Sequence, residues 1–254
     1  MLAVGALGIL GGLYMARQSF RNTLPQHQPP YTLKISTNEV YQPRTPTPFS
    51  FSVVDAQEKP LRDFTMVHEK IMHSIVVRKD LQEFQHVHPL YATQSGLFTL
   101  PDLAFPSAGA YRIFADFTPA DAPRDPHGNR TPVTIFHDIN VGDATAYNPQ
   151  PLGPVRKTQK IDEYHITLAT NPTTLLSILA ATLTFTITDT AKKPVNNLEP
   201  YLGALGHSVI LHENDLQFIH THPYESNAPA QPGTIVFNAA FPQSLSGYVS
   251  ESKV

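Results

Sequence analysis

The chain has 254 residues, 41% hydrophobic and 15% charged, with a net charge of −3 and no cysteine. Its length suits one large domain or two of roughly 100 to 130 residues, and its composition is that of a folded chain rather than a disordered one. The missing cysteine excludes disulfides and thiolate-held zinc or iron–sulfur sites, and a weakly negative chain without a Lys/Arg stripe offers nothing to nucleic acid.

The first 16 residues, MLAVGALGILGGLYMA, carry no charge, and Arg17 and Arg21 follow. This is the length of a signal-peptide apolar region and short of the ~20 residues a span requires. No basic residue precedes the run, and Tyr14-Met15-Ala16 departs from a small-x-small cleavage site. We read residues 1–21 as a short hydrophobic helix, either an export signal or an uncleaved membrane anchor. That reading expects an extracytoplasmic protein, in the periplasm or at the cell surface, touching the membrane through this segment. Residues 22–30, NTLPQHQPP, form a Pro-rich polar linker.

From residue 31 the chain reads as one unit written twice. YTLKIST (31–37) is answered by YHITLAT (164–170), and FSFSVVDAQEKPL (49–61) by LTFTITDTAKKPV (183–195). Asp55 maps to Asp189, His73 to His207, His86 to His220 and His88 to His222, each pair 134 residues apart. A constant offset over this length indicates duplication. The expected limits are 31–142 for the first domain, 143–163 for a turn-rich linker and 164–254 for the second domain. Its last segment, YVSESKV, is more polar than YRIFADF of the first copy, which suggests a truncated or degenerate final strand.

Within each copy the hydrophobic period is two: Phe49, Phe51 and Val53 alternate with serines, and Leu183, Phe185 and Ile187 with threonines. Such strands, broken every 10 to 15 residues by some of the 24 prolines, predict an all-β protein of two tandem immunoglobulin-like antiparallel β-sandwiches. LLSILAATL (175–183) has a helical composition. Its alignment with the Pro-rich YQPRTPTPF argues for loop and strand instead.

In HSIVVRKDLQEFQHVH (73–88), two apolar runs flank Lys79-Asp80-Leu81-Gln82, so a hairpin centred between Asp80 and Leu81 is expected. In the second copy the centre falls on Asn214-Asp215, good turn formers. This register sets His73 across from His88, Ile75 from His86 and Val77 from Phe84. Residues opposite on an antiparallel pair share a face, as do i and i+2. His73, His86 and His88 therefore gather at one end of an apolar face, and His207, His220 and His222 do the same. Cβ atoms lie ~5 Å apart across such a pair and about 7 Å apart along a strand, close enough for three imidazoles to share an ion.

Three neutral imidazoles suit Cu(II) or Zn(II). Their affinity should fall as pH drops through about 6.5. Met66 or Met72 is a candidate thioether for Cu(I), although Gly206 replaces Met72 in the second copy and Leu202 replaces His68. The competing reading is a structural or adhesive module in which the histidines pack against backbone carbonyls. Asp116 in FADF could approach an ion from the closing strand. His127 reads as a loop residue, His137 and His165 as lone strand positions, and His212 as an outer-face residue. No nucleophile elbow, phosphate loop or carboxylate pair appears, so an enzyme is not expected.

MHSIVVRKDLQEFQHVHP, followed by GLFTLPDLAFPSAGAYRIFADFTP, resembles exported bacterial proteins of the YtkA-like or FixH-like group. Met72-His73, Asp80-Leu81, His86 to Pro89 and the Phe105-Pro106…Gly109-Ala110-Tyr111 segment carry the likeness, over about 31–142 with an echo from 164. The resemblance implies an immunoglobulin-like extracytoplasmic module, often associated with copper handling or respiratory-complex maturation. Beyond a metal ion and the membrane, it identifies no partner.

Overall fold

The computed structural model describes residues 30–37, 40–125, 128–143, 147–173, 180–221, 223 and 231–241, together with the backbone of 248–253. The apolar segment 1–21, the linker up to residue 29, His127 and His222 lie outside the described residues. Regular structure among the described residues is entirely β, and none of it is a helix long and apolar enough to cross a membrane.

The first copy contains β1 (Tyr31–Ile35), β2 (Thr47–Asp55), β3 (Phe64–Thr65), β4 (Met72–Arg78), β5 (Phe84–Val87), β6 (Leu90–Ala92), β7 (Leu97–Leu103), β8 (Gly109–Pro119) and β9 (Val133–Val141). One antiparallel sheet runs β1-β2-β7-β6. In the other, β8 lies between β4 and β9, β5 pairs with β4, and the short β3 pairs with the end of β8. The two sheets meet through one core, where Phe49, Phe51, Val53 and Phe98 face Met72, Val76, Tyr111, Ile113 and Phe117. These are the inward positions of the period-two pattern, and burying them supplies most of the driving force.

The second copy follows the same plan with β10 (Thr158–Ile161), β11 (Tyr164–Asn171), β12 (Ala180–Thr188), β13 (His207–His212), β14 (Phe218–Thr221), β15 (Thr234–Ala240) and β16 (Tyr248–Lys253). One sheet runs β10-β11-β12-β15 and the other β14-β13-β16. Residues 180–183 are strand, as the repeat alignment implied; 174–179 lie outside the described residues. YVSESKV supplies a closing strand after all, pairing from His207↔Lys253 to His212↔Tyr248 as β8 pairs with β4. The repeat extends to single turns. Asp55 Oδ1 accepts the Lys59 amide at 2.8 Å, and Asp189 Oδ1 accepts the Lys193 amide at 2.9 Å.

The linker expected over 143–163 is shorter than that. Thr158–Ile161 forms β10 and pairs with β11. All four of its residues are exposed, so this edge strand has no buried face and leaves no alternation in the sequence. Gly233, entering β15, shows a backbone requirement. Its φ is +67°, and a Cβ there would lie 2.5 Å from the Ile187 carbonyl oxygen and 3.0 Å from the Val195 amide nitrogen. Gly233→Ala should therefore cost about 1–3 kcal/mol in urea unfolding. A stability equal to that of the parent chain would contradict this backbone geometry.

A third apolar cluster joins the copies. Ile75, Val77 and Phe114 of the first pack against Val209, Leu211 and Leu216 of the second, flanked by Leu81, Phe84 and Phe218. Phe114 and Phe218 stack at 4.8 Å, and Arg112 donates to the Asp215 carbonyl at 3.2 Å. Both hairpins thus turn the apolar faces bearing Ile75, Val77 and Phe84 and Val209, Leu211 and Phe218 toward each other, while Val76 and Ile210 on the opposite faces fill the two separate cores.

Candidate metal centre

The hairpin registers are those expected. Ile75 pairs with His86 and Val77 with Phe84; Val209 pairs with His220 and Leu211 with Phe218. The loops close through the Arg78 amide on the Glu83 carbonyl and the His212 amide on the Gln217 carbonyl, each at 3.0 Å. The midpoints fall between Asp80 and Leu81 and between Asn214 and Asp215. Leu81 and Leu216 take left-handed conformations in these loops.

At the far end of the first hairpin the three imidazoles meet. His73 Nδ1 lies 3.2 Å from His86 Nε2 and 3.2 Å from His88 Nε2. One nitrogen from each ring lies within 4.8 Å of the others. Two nitrogens bound to one tetrahedral ion at ~2 Å stand roughly 3.3 Å apart, which the two separations from His73 Nδ1 match. His73 Nε2–H donates to the Val67 carbonyl at 3.2 Å. This fixes the tautomer with its lone pair on Nδ1, the atom facing the other two rings.

The second copy repeats this device. His207 Nε2–H donates to the Tyr201 carbonyl at 2.9 Å, and Tyr201 stands 134 residues after Val67. Both carbonyls belong to tight turns, with positive φ at His68 and Glu69 and at Leu202 and Gly203. Sequence reasoning missed these orienting turns. Leu202-Gly203 carried a faint signal, whereas His68-Glu69 carried none.

The two trios were expected as separate sites, one per repeat. Instead the described members of the second lie against the first. His73 is 6.0 Å from His207 and 5.4 Å from His220 between ring centroids, and His86 is 5.8 Å and 6.0 Å from the same rings. The face-to-face packing of the hairpins explains this, because the histidines occupy equivalent ends of both. His222 lies outside the described residues. Asp116, opposite His73 on β8, reaches across the repeats: His220 Nδ1 donates to its Oδ2 at 2.5 Å, and Thr134 donates to its Oδ1 at 2.9 Å.

His73, His86 and His207 are all buried. Burial, reinforced by His220, lowers His73 to about 4. Burial, reinforced by His88, lowers His86 to about 2. Burial lowers His207 against the pull of the Tyr201 carbonyl. Buried imidazoles lose water when charged and so stay neutral, which is the state that ligates metals. An open cleft of about 890 Å³ leads to His73, His220 and Asp116 and carries Lys70, Arg124 and Arg130 on its walls.

Other candidates lie elsewhere. Met72 is buried in the core of the first copy, on the opposite side of β4, and Met66 is exposed. The Met72 thioether is thus turned away from the imidazole group. His137 lies on β9 and His165 on β11, and His212 pairs with Asp215 at 2.8 Å in its own hairpin loop.

A family described as "Domain of unknown function (DUF8832)" matches residues 26–125 and 159–248, the stretches that hold the two copies. No curated protein matches the sequence. Among solved structures, the chain is similar to a Salmonella alpha-2-macroglobulin mutant, at 12% identity and a TM-score of 0.28 over 89% of this chain and 12% of that one. It is also similar to the three N-terminal domains of the bacteriophage RB49 highly immunogenic outer capsid protein, at 14% identity and a TM-score of 0.22 over 88% of this chain and 58% of that one.

Proposed function

The chain belongs to the DUF8832 family, described as a domain of unknown function, and for this member we propose a transition-metal-binding protein of two tandem immunoglobulin-like β-sandwiches. His73, His86 and His88 hold Cu(II) or Zn(II) as neutral ligands. The observation that carries this reading is the convergence of His73 Nδ1 with His86 Nε2 and His88 Nε2 at 3.2 Å, with His73 oriented through its other nitrogen. A purely packed histidine cluster would have its ring nitrogens directed outward to separate backbone acceptors. Here His73 Nε2 is so directed, whereas His73 Nδ1 faces the other two rings.

The three-imidazole set favours Cu(II) or Zn(II) over Cu(I), and the Met72 thioether lies in the apolar core. The reading is of metal handling. The apolar segment 1–21 and the resemblance to exported YtkA-like and FixH-like proteins support an extracytoplasmic, membrane-tethered or secreted protein. Titrating the full chain with Cu²⁺ or Zn²⁺ tests the reading by calorimetry and thermal shift. Saturable binding with a raised melting temperature is expected, and the absence of both would end the proposal. Because burial holds His73 and His86 neutral well below the usual histidine range, affinity should begin to fall at lower pH than the ~6.5 of exposed histidines.

A further inference from the structure

We infer that the metal centre is shared by both repeats, with His220 delivered as a fourth imidazole by Asp116 of the opposite repeat. This rests on the metal reading above and adds to it a ligand, a positioning residue and a clasp between domains.

Ring spacing supports the shared centre. With metal–nitrogen bonds of ~2 Å, imidazoles on one tetrahedral ion have centroids roughly 5 Å apart. Within the first trio the spacings are 5.4, 4.9 and 4.8 Å. His220 lies 5.4 Å from His73 and 6.0 Å from His86, spacings within about 1 Å of those of rings sharing one ion. His207 lies at 6.0 and 5.8 Å from the same two rings, so spacing alone does not separate it from His220, and the choice rests on the carboxylate behind His220.

Chemistry adds an independent argument. The bond from His220 Nδ1–H to Asp116 places the lone pair of the ring on Nε2. A carboxylate behind an imidazole in this way orients a ligating histidine and increases its basicity. Asp116 is itself buried and held by Thr134, so the arrangement is rigid. It is also asymmetric. The strand position opposite His73 is Asp116, whereas the one opposite His207 is Lys253. The first repeat therefore supplies a carboxylate to the second, and the equivalent backbone position of the second bears a lysine.

An ion held in this way would also join the two hairpins above their apolar contact, so loading should strengthen the interface between the repeats. The full chain, titrated with Cu²⁺ and Zn²⁺, tests this with His220→Gln and Asp116→Asn, the second being nearly isosteric. The parent chain should bind one ion tightly. His220→Gln should lower affinity ~100-fold or more and remove one nitrogen from the Cu(II) paramagnetic-resonance coupling pattern. Asp116→Asn should keep that nitrogen count while weakening binding by 10- to 100-fold. Parent-like affinity and nitrogen count in both variants would overturn the shared centre and leave the three-histidine site standing. Two ions per chain in the parent, with His220→Gln losing only one, would also overturn it. A parent chain that binds neither metal would remove the underlying reading as well.

Discussion

Replacing His86 and His88 together by alanine should abolish tight Cu²⁺ and Zn²⁺ binding, lowering affinity by far more than the ~100-fold typical of losing an outer-shell partner. The double variant removes two of the three converging nitrogens and leaves only His73 Nδ1 on the first hairpin. Metal-induced thermal stabilisation should vanish with the affinity, because an ion that no longer prefers the folded chain cannot stabilise it. His86 is buried and its deletion leaves a cavity, so the apo variant should also melt somewhat lower; a His86→Gln, His88→Gln pair keeps the volume and separates the two effects. Unchanged affinity and stoichiometry in both pairs would show that the ion, if any, binds elsewhere.

Acid should unfold the metal-free protein over a window set by the same imidazoles. The folded values of His73 and His86 lie near 4 and 2, below the ~6.5 of an unfolded histidine. Between those limits the unfolded chain holds more protons than the folded one, so stability rises with pH. The stabilisation is fully present above about 6.5 and is lost as pH falls, down to about 4 for His73 and about 2 for His86, at up to ~1.4 kcal/mol per pH unit for each imidazole. Urea unfolding midpoints measured from pH 8 to pH 4 would show this decline. A His73→Gln, His86→Gln variant should flatten it. A midpoint that is constant over this range in the parent chain would mean that the rings are not buried in their neutral form.

Much of the site was legible because hairpin register follows from local chemistry. The turn-forming residues around Asp80 and Asn214-Asp215 set the centres, and the apolar runs on either side leave one register that aligns Val77 with Phe84. Alternation then places His73, His86 and His88 on one face without any tertiary information. The duplication strengthened this inference, since both copies place histidine at the same three points. The Val67 and Tyr201 carbonyls were not legible, because a backbone acceptor leaves no residue signature. The pairing of Asp116 with His220 spans 104 residues and two domains, and neither residue has local context that points to the other. Strand β10 escaped notice because an exposed edge strand selects for no pattern.

By itself, the sequence determined an all-β chain, two copies of one unit, and a trio of imidazoles on one side of the first hairpin. Each of these depends on period-two alternation and turn chemistry, which act between near neighbours. Only the tertiary structure decided that the two hairpins face one another and bring His207 and His220 against the first trio. Strand β4 is apolar on both faces, with Val76 on one and Ile75 and Val77 on the other, so alternation alone cannot say which face meets its own domain's core and which meets the other repeat. That choice depends on what covers each face, which is fixed by burial between segments more than a hundred residues apart.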